Sequence, residues 1–155
     1  MAEPRFTIRA YGLLCSQGAD GALRVLVADE LIKGRRVTKF PGGGLEYGEG
    51  LKECIVREIR EEVGVLALDV KHFYTTDFFQ QSAFHSTPLQ VVSVYYTFRV
   101  PDEGLIRIVA EPFDGITGIG DQEVFRWASL SQRAEDAVTL PIDRLVWRML
   151  QDRLG

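Results

Sequence analysis

Three glutamates in one short segment are the side chains in this chain best suited to metal chemistry. Glu58, Glu61 and Glu62 stand three and four residues apart, so on a helix their carboxylates are neighbours on one face. Neighbouring carboxylates repel one another, and the helix macrodipole disfavours anions in a last turn. A divalent cation such as Mg²⁺ removes this conflict, because it prefers carboxylate oxygens and leaves positions open for water and phosphate. The alternative is a solvated acidic face balanced by basic side chains of the same helix.

The segment around these glutamates has the pattern of an amphipathic helix from about Leu51 to Val63. At about 100° per residue, Ile55 and Ile59 form a stripe that should be buried. By the same count Glu62 lies at the edge of that stripe, where burial makes the repulsion between carboxylates worse. A purely structural role for the acidic cluster is therefore disfavoured.

Glycines flank the predicted helix on both sides. Gly50 can serve as its N-cap, and Gly64 can adopt the left-handed conformation that ends a helix. Before the helix, the run Phe40–Gly44 presents backbone amides without side-chain obstruction, and through Gly43 and Gly44 these amides can approach a phosphate.

The spacing of these residues resembles the Nudix box, the signature of the Nudix hydrolase family. The matching positions are Gly43-x5-Glu49-x7-Arg57-Glu58-Ile59-x-Glu61-Glu62-x-Gly64-Val65. The resemblance implies an α/β (α+β) fold of the Nudix type, an α/β/α sandwich with a mixed β-sheet, in a single domain over residues 1–155. It also implies Mg²⁺-dependent (or Mn²⁺-dependent) hydrolysis of a diphosphate bond in a nucleoside diphosphate linked to a further group. A nucleoside triphosphate, a nucleotide sugar or an ADP-ribose-like compound would be such a substrate.

The resemblance assigns roles to individual residues of the box. Glu58, Glu61 and Glu62 would hold the metal, and Glu58 or Glu61 would also orient or deprotonate the attacking water. Glu49 would complete the acidic cluster, and Arg57 would pair with a carboxylate and fix its direction. The backbone at Gly43 would face a metal or a phosphate.

Residues outside the box are candidates for the general base and for substrate binding. Some family members take a base from a loop outside the box, and Asp121 and Glu123 are the candidates here, although each is equally explained as a solvated loop acid. In the irregular stretch 77–88, Phe78 and Phe79 offer rings for base stacking and His85 can contact a phosphate. The alternative is that these aromatics pack beneath the loop.

Markers of several Nudix subfamilies are absent. Gln80 stands where the ADP-ribose type usually has proline, and Ser82 where the diadenosine polyphosphate type has tyrosine. The arrays of the NADH and coenzyme A types are also missing. The sequence therefore predicts which bond is broken and leaves the attached group open.

Composition limits the partners. The net charge is −4 and the isoelectric point about 5.2, which gives no general attraction to nucleic acid or to an anionic membrane. We therefore expect a small nucleotide substrate, no nucleic-acid or membrane partner, a cytoplasmic location and, by resemblance only, a homodimer. An RNA 5′-end hydrolase is disfavoured on the same ground, and Cys15 lacks the surroundings that an isopentenyl diphosphate isomerase requires. A catalytically idle domain that senses a nucleotide is the main alternative, although such domains typically lose box carboxylates.

The remaining pattern predicts mainly strands, in the order β-β-β-α-β-β-β-β-α. The strands are expected at residues 6–15, 22–29, 37–40, 66–76, 89–100, 105–110 and 123–128, with a closing helix at 141–154. The first two strands are expected to pair as a hairpin across the turn Gly18–Gly21.

Overall fold

A computed structural model describes residue 3, residues 5–120 and residues 122–155. The strands are β1 (Arg5–Leu13), β2 (Cys15–Gln17), β3 (Leu23–Ile32), β4 (Arg35–Lys39), β5 (Gly42–Gly44), β6 (Leu68–Thr75), β7 (Leu89–Arg99) and β8 (Gln122–Ser129). The helices are α1 (Leu51–Glu62), α2 (Ala134–Ala137) and α3 (Pro141–Leu154), with a 3₁₀ turn at Glu103–Leu105.

The strands form two four-stranded sheets. The first has the order β5-β1-β7-β6 and is mixed, because β1 and β7 run parallel while the other pairs are antiparallel. In the second, β3 pairs antiparallel with β8 along one edge and with β2 and then β4 along the other.

The central strands are buried on both faces, because successive side chains point to opposite helices. On β3, Val25 and Val27 pack in the core that contains α3, whereas Leu26 and Ala28 pack in the core that contains α1. The sheets therefore lie between α1 on one side and α3 on the other, and the predicted α/β/α sandwich with a mixed sheet is confirmed.

The helix that carries the acidic cluster has the predicted bounds within one residue. Ile55 and Ile59 are fully buried. At its start the Gly50 amide donates to the Glu53 carboxylate at 3.1 Å. At its end Gly64 has a φ of 82° and its amide donates to the Ile59 carbonyl at 3.0 Å, which closes the last turn.

Two predictions about strands were wrong in part. Residues 6–15 are not one strand of a hairpin: only Cys15–Gln17 pairs with β3, while β1 crosses to the other sheet. Residues 105–110 do not form a strand, because the Asp102 carboxylate accepts from the Gly104 amide and starts a 3₁₀ turn, and only Ile108 makes a bridge to β8. Strand β5 was not predicted, since a run of glycines has low strand propensity.

No helix among the described residues is long and apolar enough to cross a membrane.

Candidate active site

Strand β5 brings the glycine run directly against the acidic face of α1. Gly43 pairs with Ala10 of β1, and a Cβ on Gly43 would overlap the carboxyl group of Glu58. A Cβ on Gly42 would overlap the Ala10 carbonyl oxygen, and its φ of 157° is also unusual for other residues. The glycines are therefore needed for close packing, which places the Glu58 carboxylate on the β5 backbone.

Arg57 joins the carboxylates of the box. Its Nε donates to Glu49 Oε2 at 2.9 Å and its Nη2 to Glu49 Oε1 at 2.6 Å, a bidentate pair. Its Nη1 donates to Glu58 Oε1 at 2.9 Å and to Glu61 Oε2 at 3.2 Å, and its Nη2 also reaches the Gly44 carbonyl at 3.0 Å. One guanidinium thus fixes three carboxylates relative to β5.

These contacts explain the charge state of Glu49. Hydrogen bonds from Arg57, followed by one from the Glu46 amide, lower the pKa of Glu49 to about 2. The same carboxylate raises the pKa of Arg57. Glu49 is therefore ionised throughout the physiological range, and Arg57 is permanently charged.

Glu62 faces away from Arg57, toward the sheet. It is half-buried, and its Oε2 accepts from the Gly42 amide at 3.3 Å. Burial raises the pKa of Glu62 to about 7, with a further contribution from Glu58, although Lys39 opposes the shift. The sequence placed Glu62 at the edge of the buried stripe, and the structure puts it there.

Two further acids, Glu30 and Glu123, lie near Glu62 on neighbouring strands. Glu123 on β8 lies opposite Glu30 on β3, and Glu30 Oε2 is 3.2 Å from Lys39 Nζ. Burial first, and then the charge of Glu62, raise the pKa of Glu123 to about 8. Glu123 is therefore part of the cluster, whereas Asp121, the other candidate base, lies outside the described residues. Glu30 was missed because the predicted strand ended at Asp29, although two adjacent acids followed by apolar residues were a signal that the strand continues.

A cavity of about 350 Å³ adjoins this cluster. Its walls include Arg9 and Tyr11 of β1, Glu30 and Lys39 beside the acids, and Asp143 of α3. Except for the acids and bases, the lining is largely apolar or aromatic, as is usual for a site that holds a small organic molecule.

The loop 77–88 covers the cavity with residues 80–85. Two basic side chains beside the β3–β4 turn position this loop. Lys33 donates to the Phe84 carbonyl at 2.5 Å, and Arg35 donates to the Ala83 carbonyl at 3.2 Å. His85 lines the cavity, and its Nδ1 lies 2.6 Å from the Ser82 hydroxyl oxygen.

The two phenylalanines predicted to stack on a base do not line the cavity. Phe78 and Phe79 are 45% and 68% exposed and are not among its lining residues. Sequence proximity suggested them, but the loop turns its later residues inward. Phe84 of the same loop does line the cavity, as do Tyr11 and Tyr95, whose rings stack with centroids 5.2 Å apart.

Two basic residues connect the cavity with the acids, and the sequence analysis named neither. Arg9 is stabilised in its charged form by Tyr11, Glu58 and Glu62, and its Nε donates to the Tyr11 hydroxyl at 2.8 Å. Lys39 is buried, with Tyr11, Glu30 and Glu62 favouring its charge. Arg9 and Lys39 both line the cavity and form a cationic wall in a protein with a net charge of −4.

The donor set fits a hard divalent cation. Carboxylates of Glu58 and Glu62 lie against the β5 backbone, and burial, with a smaller contribution from neighbouring carboxylates, raises the pKa values of Glu62 and Glu123 despite the nearby Lys39. Among the described residues no group of three or more acidic, histidine or cysteine side chains converges as preformed ligands, because Arg57 occupies oxygens of the box carboxylates. Cation binding would therefore require some carboxylates to reorient.

The profile of the NUDIX domain matches residues 7–142, which include the whole box and most of the cavity lining. The chain belongs to the Nudix hydrolase family. The predicted family membership is thereby confirmed.

Two curated relatives match over part of this Nudix domain. The NAD-capped RNA hydrolase NudC of Mycobacterium tuberculosis (strain H37Ra) is 32% identical over 84 residues, which are 54% of this chain and 25% of that protein. The RNA pyrophosphohydrolase of Teredinibacter turnerae is 42% identical over 53 residues, 34% of this chain and 30% of that protein. The matches thus span less than a third of each relative.

Solved Nudix structures match nearly the full length of the chain. The MutT NUDIX hydrolase from Burkholderia pseudomallei has a TM-score of 0.64 at 18% identity, covering 92% of this chain and 96% of that one. The Ap4A hydrolase of C. elegans has a TM-score of 0.64 at 13% identity, covering 97% and 99%. At such low identity the likeness concerns the fold.

Proposed function

We propose that this Nudix domain hydrolyses a diphosphate bond in a small nucleoside diphosphate derivative, with Mg²⁺ or Mn²⁺ as cofactor. The observation that carries the proposal is the position of Arg9 and Lys39, which line a cavity of about 350 Å³ with partly aromatic walls and also lie in the electrostatic field of box carboxylates. This volume is at the lower end of the range for small-molecule sites, roughly 300–1,000 Å³. A single nucleoside unit suits it better than a dinucleotide.

Each side chain has a part in this proposal. Glu58, Glu61 and Glu62 hold the cation, with Glu49 as a further acid, and Arg57 directs the carboxylates that it contacts. A divalent cation supplies charge neutralisation of the diphosphate and lowers the pKa of a water molecule.

Two cationic side chains of the cavity wall are suited to the substrate phosphates. Arg9 and Lys39 lie between the acids and the cavity, so both can contact a phosphate that bridges the two. The amide at Gly44 is a further candidate for a phosphate contact, as the sequence suggested. His85 lines the cavity and is a candidate for the same contact.

The candidates for the general base lie within the box and outside it. Within the box, Glu58 or Glu61 accepts a proton from the attacking water. Glu123 is the candidate from outside the box, because its pKa of about 8 lies close to neutral pH, where a general base is most effective. A change in the pH dependence of kcat in Glu123→Gln, without a change in KM, would support Glu123.

The proposal is tested by a hydrolysis screen of nucleoside triphosphates, nucleotide sugars, ADP-ribose and dinucleotides with Mg²⁺ and with Mn²⁺. Release of a nucleoside monophosphate from at least one of them is expected, with loss of turnover in EDTA. No hydrolysis of any substrate, combined with calorimetric binding of a nucleotide, would instead favour a sensor domain.

An RNA 5′ end is the second candidate substrate, because one relative is named an NAD-capped RNA hydrolase and another an RNA pyrophosphohydrolase. The net charge of −4 disfavours it, since a long polyanion gains no general attraction. Comparison of a triphosphorylated or NAD-capped oligoribonucleotide with the free nucleotide of the same end distinguishes the two. We expect the free nucleotide to have the higher kcat/KM.

A further inference from the structure

Two basic side chains border the cavity at the end away from the box carboxylates. Lys33 lies in the turn after β3 and lines the cavity. Arg35 begins β4, and its guanidinium lies 5.2 Å from the centre of the Phe84 ring, which also lines the cavity. From Arg35 the strand continues to Lys39 beside Glu62, roughly 13 Å away at about 3.3 Å per residue. The cavity therefore has cationic side chains at both ends.

Neither Lys33 nor Arg35 has an acidic partner among the described residues. Lys33 Nζ donates to the Phe84 carbonyl, and Arg35 Nη1 donates to the Ala83 carbonyl. An ammonium has three N–H groups and a guanidinium five, so both side chains keep free donors. Both residues are also exposed. They can therefore bind an anion without giving up their contacts with the loop.

We propose that Lys33 and Arg35 bind a second anionic group of the substrate, an inference that rests on the proposed nucleotide substrate. With the diphosphate against Arg9 and Lys39, the rest of the ligand occupies the cavity and extends toward Lys33. A phosphate or a carboxylate at that end meets two uncompensated positive charges, and hydrogen bonds to ionised groups are about twice as strong as neutral ones. The anionic group is carried either by the ribose or by the group attached to the diphosphate.

The alternative is a structural role, in which Lys33 and Arg35 only hold the loop over the cavity. Under that alternative their replacement would weaken the binding of every ligand by the same factor, because the loop covers all of them. The ratio between the affinities of a more anionic and a less anionic ligand would then stay unchanged. This ratio is therefore the measurement that separates the two roles.

The experiment measures binding by calorimetry in EDTA, so that no hydrolysis is needed. Adenosine 3′,5′-bisphosphate is compared with AMP, which places the added charge on the ribose. UDP-glucuronate is compared with UDP-glucose, which places it on the attached group. We expect the more anionic ligand of at least one pair to bind about tenfold more tightly or better, as for a hydrogen bond between charged groups.

The sign of this preference is informative, because the net charge of −4 by itself disfavours the more anionic ligand. The pair that shows the preference identifies which part of the substrate carries the charge. Equal binding within both pairs, weaker binding of both anionic ligands, or no binding of any of the four would overturn the inference.

Variants then assign the preference to the two side chains. The double variant Lys33→Gln/Arg35→Gln should reduce it to less than about threefold. Arg36→Gln is the matched control and should retain it, since Arg36 is an exposed neighbour that lies over the Phe113 ring, outside the cavity lining. A folded double variant that keeps the full preference would overturn the assignment.

Salt dependence gives a second measurement, on the unaltered protein, that decides even if the double variant does not fold. Lys33 and Arg35 are exposed, so about 0.5 M NaCl should screen their charges and lower the preference to less than about threefold. A tenfold preference that is unchanged by salt would assign it to buried groups and overturn the inference.

Failure of this inference is distinguishable from failure of the proposed function. A protein that hydrolyses nucleotides with Mg²⁺ but shows no preference for the more anionic ligand would defeat the inference alone. A protein that shows the preference in EDTA but no hydrolysis with any metal would defeat the proposed reaction alone.

Discussion

Arg57 determines how the box carboxylates share charge. It contacts Glu49, Glu58 and Glu61, and its single positive charge offsets part of their combined negative charge. Glu62 receives no such contact and depends on Lys39 and on the Gly42 amide. Glu62 is consequently the box acid with the most to gain from a bound cation.

Replacement of Glu62 by glutamine should abolish most of the activity without unfolding the protein. Loss of one cation ligand is expected to lower kcat by about a hundredfold or more, while removal of a buried acid keeps or raises the thermal midpoint. Glu61→Gln should behave similarly in activity. Steady-state kinetics and thermal denaturation measure both effects, with the exposed Glu111→Gln as control. Wild-type turnover in Glu62→Gln would contradict the assignment of the helix.

Replacement of Gly43 by alanine should damage both stability and activity. The new Cβ overlaps the Glu58 carboxyl, so the helix or the side chain must shift, at a cost of about 1–3 kcal/mol in the free energy of unfolding. Gly44→Ala is the matched control, because its Cβ meets only Arg9 Nη1 at 3.9 Å. Urea denaturation of the two variants compares them, and equal stabilities would show that the contact of β5 with α1 is looser than described.

At the scale of elements, α1 and β5 act as one unit. The helix spans Leu51–Glu62 between Gly50 and Gly64 and buries Ile55 and Ile59, so its axial position and its rotation are both fixed. The acids then face β5 because they lie on the side of the helix next to the buried stripe. The loop 77–88 is a second such unit, held over the cavity by Lys33 and Arg35.

Replacement of Gly64 by alanine should loosen the end of α1. The residue has a φ of 82°, where an L-residue costs about 1–2 kcal/mol. For a chain of this size that loss lowers the thermal midpoint by roughly 2–8 °C. Gly64→Asn is the control, since asparagine tolerates this conformation better and should lose less. If alanine and asparagine were equally harmless, the left-handed end would not be needed.

At the scale of the whole molecule, the site concentrates acids where the two sheets and α1 meet. Glu62 and Glu123 have pKa values of about 7 and 8, well above those of free glutamates. The folded protein therefore binds more protons than the unfolded chain between about pH 4.5 and pH 8. Within that window folding is favoured by protonation.

The metal-free protein should accordingly become less stable as the pH rises from about 4.5 to 8. Its free energy of unfolding falls because Glu62 and Glu123 must ionise in a buried cluster, and the stability they provide is fully present only below the pKa of the unfolded chain. Urea denaturation in EDTA across this range measures the slope. Glu123→Gln should have a smaller slope and Glu111→Gln an unchanged one, whereas a stability that rises with pH in all three would contradict the raised pKa values.

The organisation of residues 1–155 as one domain and the expected homodimer stay predictions, as does the cytoplasmic location. The absence of nucleic-acid partners is also open, since two relatives carry names that refer to RNA. The comparison of capped oligoribonucleotide with free nucleotide addresses that point directly.

Local pattern was sufficient for the box and its helix. Gly50 and Gly64 set the ends of α1, and the periodicity of Ile55 and Ile59 set its buried face, because capping and amphipathicity act within a few residues. The position of Glu62 at the edge of that face followed from the same periodicity. Family membership could likewise be predicted, since spacing alone defines the box.

Tertiary structure decided what surrounds the box. Arg9, Lys39 and Asp143 come from β1, β4 and α3, which are distant in sequence, and only the packing of sheets and helix brings them to one cavity. The departure of β1 from the expected hairpin has the same origin, because pairing with β7 places residues 10–13 in the core, with Ala10 and Tyr11 on opposite faces. Local interactions within the sequence determined the helix of the box, whereas long-range pairing and packing decided which residues form the walls of the cavity.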